Sequence, residues 1–131
     1  MSKAVDFLRE AGPFYIATDD SGQPRVRPFG AVIDFEGKVY LCTNKQKAVF
    51  KQLIANPRVE ICACVEGGRW IRITGVAVVD DRDVAKEAMF EAYPNVRRMY
   101  SDGASLFAPF YLKDAMATVA SHGTEPETWA L

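Results

Sequence analysis

Two lysines at the predicted start of a helix are the first sign of a ligand site. Lys45 and Lys47 follow Thr43 and Asn44, where an alternating strand pattern changes to helical spacing. A helix N-terminus has unpaired N–H groups and a partial positive charge, so basic residues there are mildly unfavourable unless an anion balances them. The backbone amides, the two ammonium groups and the side chains of Thr43 and Asn44 together suit a phosphate. Lysines that simply extend into water would explain the same pattern.

Two arginines on an earlier strand could add positive charge to this region. Arg25 and Arg27 are two residues apart and therefore project from one face of a strand. The curvature of a barrel could bring either of them close to Thr43. The alternative is that both arginines are solvated or salt-bridged on the outer face of the sheet.

The residues after these arginines could accommodate a planar ring. Pro28 lies in mid-strand, where it removes a hydrogen-bond donor from the ladder, which suits an edge or a place where a ligand uses the backbone. Phe29 and Gly30 follow, and a small residue beside an aromatic one could let a flat ring lie against the main chain, although core packing explains Phe29 equally well. Trp70 and Trp129 could stack on such a ring or lie in the core or an interface.

Composition and missing motifs exclude several classes of function. The net charge of −1 over 131 residues gives no bulk attraction for nucleic acid or an anionic membrane. The sequence has no apolar run of ~20 residues and no apolar stretch typical of a signal peptide at its start. We therefore expect no nucleic-acid or membrane partner and a cytoplasmic location. No dinucleotide fingerprint, P-loop or nucleophile elbow is present. Three cysteines and one histidine fall short of a metal-ligand set, so we interpret Cys42, Cys62 and Cys64 as ordinary thiols.

Periodicity divides the chain into strands and short helices. The pattern predicts helices over 2–11 and 46–55 and a third that starts after Asp80-Asp81 and ends at Pro94, and strands over 14–18, 25–35, 38–43, 58–66, 69–79 and one or two within 106–121, followed by an irregular tail. The first three strands are predicted to form a meander with antiparallel neighbours. We expect one domain over residues 1–131, of the α+β class, in which about six mainly antiparallel strands form a barrel flanked by short helices.

Several segments together resemble the pyridoxamine 5′-phosphate oxidase-like flavoproteins. The resemblance covers roughly residues 10–80 and is carried by Gly22–Phe29, Gly37–Asn44, Lys47, Asn56–Val59 and Arg69–Gly75. It implies a split β-barrel that forms a homodimer with FMN at the subunit interface. By position, Arg27 and Lys47 resemble the family's phosphate-binding arginine and lysine, and Trp70 the side chain that a partner subunit offers to the flavin. The predicted cofactor-binding residues are Arg25, Arg27, Pro28, Phe29, Gly30, Cys42, Thr43, Asn44, Lys47 and Trp70.

The resemblance implies an FMN-dependent oxidoreductase. Such a protein would pass hydride or electrons from a reduced nicotinamide-type donor to a small-molecule acceptor. The segment that the true pyridoxamine phosphate oxidases use for their vitamer is not recognisable in residues 110–131, so we do not expect that activity; the chain is more similar to the small nitroimidazole-resistance and general-stress branches. No catalytic side chain is predicted. A flavin-binding or sensing module without turnover, and deazaflavin or haem on the same barrel, are the alternatives.

Overall fold

A computed structural model of the protein describes residues 2–131. In this part of the chain four short helices accompany eight strands. The elements are α1 (Lys3–Ala11), β1 (Phe14–Asp20), β2 (Gln23–Phe29), β3 (Ile33–Phe35), β4 (Lys38–Asn44), α2 (Ala48–Ala55), β5 (Arg58–Val65), β6 (Arg69–Val79), α3 (Asp83–Ala92), α4 (Pro94–Met99), β7 (Phe107–Ser121) and β8 (Glu127–Ala130). No helix within residues 2–131 is long and apolar enough to cross a membrane.

All eight strands belong to one antiparallel sheet. Its order is β2-β1-β5-β6-β7-β4-β3, and β8 pairs with β7 beside this path. The two ends of the path, β2 and β3, are consecutive in the chain and are separated by only residues 30–32. A sheet whose opposite edges are joined by so short a link must curl back on itself, yet its path does not pair the two edges. The fold is therefore an α+β split barrel, as the sequence predicts, with eight strands instead of about six.

The predicted strand over 25–35 is two strands on opposite edges. Residues 23–29 pair with β1, whereas residues 33–35 pair with β4, so the predicted pairing with the strand over 38–43 is correct only for the second piece. Between them, the backbone N–H of Val32 donates to the hydroxyl of Tyr93 at 3.1 Å, and that hydroxyl donates back to the Val32 carbonyl at 3.0 Å. A side chain from a distant helix thus replaces the ladder hydrogen bonds, which local alternation does not reveal.

Two further elements were not predicted. The helix before Pro94 ends at Ala92, as predicted, but Pro94 then opens α4, where it occupies the first turn and its missing N–H costs nothing. The tail was expected to be irregular, but residues 127–130 form β8. Trp129 of that strand packs on the core, and the Lys3 ammonium lies 4.6 Å from the centre of its ring. Both elements gain their stability from packing across the chain, so local periodicity underestimates them.

Two apolar clusters fix the parts of the molecule that surround the split. The larger cluster lies between the inner face of the sheet and α1, which buries Val5 and Leu8 and is capped by the Ser2 hydroxyl accepting from the Val5 N–H at 3.1 Å. The smaller cluster joins α3 to β3 and β4, with Met89 and Tyr40 fully buried. Because the smaller cluster holds α3 beside β4, the following helix α4 forms a wall next to the split.

Candidate functional site

The split in the barrel opens into a cleft of about 450 Å³. Its floor comes from the link between the two sheet edges and from the end of β4, and its walls come from the start of α2 and from the α3–α4 region. The lining residues are Arg27, Pro28, Phe29, Gly30, Ala31, Cys42, Thr43, Asn44, Lys47, Val49, Tyr93, Asn95, Val96, Met99, Tyr100 and Phe107. Eight of the ten residues predicted to bind a cofactor therefore line one cavity, and their roles there stay predictions.

Arg27 provides a fixed positive charge at one end of the cleft. One terminal nitrogen of its guanidinium donates to the Thr18 hydroxyl at 2.7 Å and to the Ile16 carbonyl at 3.3 Å, and the other donates to the Gln52 amide oxygen at 2.6 Å. Burial lowers the pKa of Arg27, and the nearby charge of Arg25 lowers it further. An arginine side chain remains protonated at neutral pH despite such a shift, so the charge persists.

Lys47 adds a second positive charge where α2 begins. It is the N-cap residue of α2, it makes no side-chain cap hydrogen bond among the described residues, and the first turn of the helix contains no acid. Its charge reaches the Cys42 thiol and lowers its pKa, but burial outweighs this effect and raises the pKa of Cys42 to about 12. The Cys42 side chain is therefore a neutral thiol at physiological pH.

The other predicted lysine has a different role. The Lys45 ammonium lies 2.9 Å from an Asp81 carboxylate oxygen. No acid lies near Lys45 in the sequence of this segment, but Asp81, from the distant start of the α3 region, balances its charge in the fold. Two hydrogen bonds of Asn44 hold the loop. Its side-chain oxygen accepts from the Gln46 N–H at 2.8 Å, and its backbone carbonyl accepts from the Lys47 N–H at 3.0 Å. Thr43 is buried at the end of β4.

Arg25 and Trp70 do not line this cleft. Arg25 is exposed and pairs with Asp20 at 3.1 Å, as the alternative interpretation of the arginines anticipated. Trp70 lies on β6, where its ring is 5.4 Å from that of His122. A contact of Trp70 with a ligand in the cleft would need a second copy of the chain.

Another wall of the cleft is aromatic and apolar. Tyr100 packs on Phe107 with ring centres 4.8 Å apart, and burial raises the pKa of Tyr100. Val96 and Met99 complete this wall, and Met99 is 71% exposed. The sequence analysis missed these residues because it predicted no helix after Pro94. The spacing of Val96, Met99 and Tyr100, which is i, i+3 and i+4, was the available signal.

The cleft and the fold together define a class of protein. An arginine and a helix N-terminus in its lining suit a phosphate, and an apolar, aromatic wall suits a planar ring. The class that the fold and the cleft define is a split-barrel protein with a partly cationic, partly aromatic cleft. The sequence model of the pyridoxamine 5′-phosphate oxidase family matches residues 1–123. The chain belongs to the pyridoxamine 5′-phosphate oxidase-like family.

Solved structures agree with this assignment. A NimC/NimA family protein from Clostridium acetobutylicum is 46% identical and superposes with a TM-score of 0.94. The match covers 98% of this chain and 90% of that one. A protein related to general stress protein 26, also from Clostridium acetobutylicum, is 13% identical with a TM-score of 0.74, over 98% of this chain and 92% of that one. A haem-binding protein from Mycobacterium smegmatis is 17% identical with a TM-score of 0.73, over 99% of this chain and 59% of that one. The last two comparisons show the fold alone. No match was found among curated proteins.

Proposed function

We propose that this protein binds FMN in the cleft and acts as a flavin-dependent oxidoreductase. The observation that carries the proposal is the presence of Arg27 and Lys47 in the lining of one cavity that also has an aromatic, apolar wall. These two cations, with the backbone N–H groups at the start of α2, would hold the phosphate, and Pro28, Phe29 and Gly30 would lie along the ribityl chain and the ring. A Cβ at Gly30 would meet no atom within 4 Å, so the backbone there leaves room for a close neighbour. Bound FMN would supply hydride or electron transfer, which family membership supports.

The side chains of the cleft support a positioning role for the protein. The Cys42 thiol and the Tyr100 hydroxyl have raised pKa values because they are buried, and the Tyr93 hydroxyl is occupied by both polar backbone groups of Val32. The Cys42 thiol and the Tyr100 hydroxyl are therefore not poised to lose a proton at neutral pH. The chain would therefore bind and orient the ring and its substrate and keep water from the ring. A reduced nicotinamide-type donor and a small nitro or quinone acceptor are the expected partners in turnover.

The same residues argue against haem in this cleft. Its described lining contains no histidine. Tyrosine and cysteine bind haem iron as anions, and the raised pKa values of Tyr100 and Cys42 disfavour those forms. Deazaflavin shares the phosphate and the planar ring with FMN, so its absorption spectrum has to distinguish it.

We further propose a homodimer that uses the outer face of the sheet, with the flavin at the subunit interface. On this face Tyr15 pairs with Cys62, and Cys62 with Arg72; Trp70 is two residues from Arg72 and so points the same way. Tyr15 is 49% exposed, and Val26 and Met116 of the same face are also exposed, which is a large apolar area for a lone subunit. Such a dimer would bring the partner's copy of Trp70 to the cleft. Analytical ultracentrifugation of the FMN-loaded protein should give twice the 14.5 kDa chain mass, and a monomer would contradict this arrangement.

A charge-matched pair of double variants tests the cofactor site. Purified native protein should be yellow, with the absorption bands of FMN. Arg27→Ala with Lys47→Ala should lose the flavin, because two charge-assisted contacts to the phosphate, each worth about 1.5–3 kcal/mol, disappear together. Arg25→Ala with Lys45→Ala removes the same charge from residues that already pair with Asp20 and Asp81, so it should keep the flavin. A full complement of FMN in the first variant would refute the site.

Turnover is tested separately. Reduced nicotinamide should bleach the bound flavin, and a nitro compound or a quinone should restore its colour. Flavin that binds but does not bleach with any donor would favour a binding or sensing module. The cytoplasmic location expected from the sequence stays a prediction.

A further inference from the structure

The guanidinium of Arg27 is held by neutral oxygen acceptors from inside the protein. Its partners are the Thr18 hydroxyl, the Gln52 amide oxygen and the Ile16 carbonyl. Thr18 is 5% exposed and Gln52 is 8% exposed, and the Thr18 hydroxyl in turn donates to Gln52 at 2.5 Å. The amide oxygen of Gln52 thus receives two hydrogen bonds, and this fixes the orientation of the amide. We propose that Gln52, together with Thr18, is a positioning residue that holds Arg27 toward the phosphate end of the cleft and so sets the preference of the protein for phosphorylated over unphosphorylated flavin.

The chemical nature of these acceptors is central to the inference, which rests on the proposed function. Arg25, two residues away, pairs with the carboxylate of Asp20, which offsets part of its charge. Arg27 is held by neutral groups that restrain the guanidinium without cancelling its charge. Three of the five guanidinium N–H groups serve to hold the side chain, and two remain for an incoming anion. A rigid arginine that retains its full charge binds an oxyanion with little loss of side-chain entropy.

Gln52 also links the two cations of the site. It lies on α2, the helix that begins immediately after Lys47, and its side chain reaches across to β1 and β2. The same short helix therefore begins after Lys47 and carries the anchor of Arg27, which ties the backbone of Lys47 to the guanidinium of Arg27.

The test compares the dissociation constants of FMN and riboflavin, which differ by the phosphate alone. Gln52→Met keeps the size of the side chain and removes the acceptor, and it should weaken FMN binding about tenfold, the value of one charge-assisted hydrogen bond, while riboflavin binding stays unchanged. Gln52→Glu should weaken FMN binding as well, because a carboxylate would neutralise Arg27. The control is Gln46→Met, the same substitution at an exposed position that does not line the cleft, which should change neither constant.

A double-mutant cycle separates positioning from structural support. In an Arg27→Met background, Gln52→Met should cause no further loss of FMN affinity, because Gln52 acts through Arg27. Equal losses for FMN and riboflavin, or an undiminished effect of Gln52→Met without Arg27, would overturn the inference and leave a structural role only. Should Gln52→Met fail to fold, Thr18→Val, which keeps the size of the side chain and removes the other side-chain acceptor of Arg27, gives the same comparison. Failure of the proposed function would appear earlier, as a wild-type protein that does not prefer FMN to riboflavin.

Discussion

The hydroxyl of Tyr93 should contribute about 2 kcal/mol to folding stability because it satisfies the backbone of Val32 in the link between the two edges of the sheet. Val32 is 1% exposed, and among the described residues its N–H has the Tyr93 oxygen as its partner. Tyr93→Phe removes that oxygen. The Val32 carbonyl still accepts from Arg9 Nε at 3.2 Å, so only the N–H becomes an unpaired buried group. An unsatisfied buried donor of this kind costs about 1–3 kcal/mol.

Urea unfolding measures this cost, and FMN titration measures its consequence for the cleft. Residues 30 and 31, which precede Val32, line the cleft, so FMN binding should weaken in Tyr93→Phe together with the free energy of unfolding. Tyr111→Phe is the control, because the Tyr111 hydroxyl makes no hydrogen bond among the described residues, so its loss should change stability by less than about 0.5 kcal/mol. If Tyr93→Phe were as stable as Tyr111→Phe, the Tyr93 hydroxyl would not be what satisfies the Val32 N–H, and the role assigned to it here would be wrong.

Two other perturbations test the frame of the barrel. The Arg82 guanidinium, together with the Tyr40 hydroxyl, lowers the pKa of Asp80 from 3.8 to about 2. The contribution of Asp80 to stability is therefore complete above about pH 4 and is lost as the pH falls toward about 2. Urea midpoints measured across this range should decline less steeply in Asp80→Asn than in the wild type. Gly75→Ala should destabilise the protein by about 1–3 kcal/mol, since its Cβ would lie 3.1 Å from the Leu112 Cβ at the bulge between β6 and β7. Gly30→Ala meets no neighbour and should unfold at nearly the wild-type midpoint while binding FMN more weakly; equal midpoints for the two alanine variants would contradict this account.

The parts of the site that are local in sequence could be predicted from the sequence. Thr43, Asn44 and Lys47 lie together because a strand ends and a helix begins within five residues, and the shared face of Arg25 and Arg27 follows from the period of a strand. Which of the two arginines lines the cleft could not be predicted in this way. That choice depends on Gln52, which reaches Arg27 from another element, and on Asp20, which pairs with Arg25 across the turn between β1 and β2.

The position of the aromatic wall beside the cleft could not be predicted, for a different reason. Tyr93 and Tyr100 face the cleft because α3 packs on β3 and β4 through the smaller apolar cluster, a contact between residues far apart in the chain. The period of a helix identifies its apolar face and leaves open the element against which that face packs. The position of Trp70 is a similar case on a larger scale, because its relation to the cleft depends on a second subunit.

One interruption of the hydrogen-bond ladder, at residues 30–32, accounts for both the fold and the site. Because β2 and β3 lie at opposite edges of the sheet, the segment between them cannot stay in one ladder. Residues 30–32 leave the ladder, and the polar groups of Val32 are satisfied by Tyr93 from the end of α3 and by Arg9 from α1. The cost of breaking the ladder is thereby offset by two helices, and the space between the separated edges becomes the cleft. The hydrogen bonds of Val32 therefore connect the floor of the cleft to the α3–α4 wall. A ligand bound on residues 28–30 should for this reason also stabilise the packing of α3 and α4.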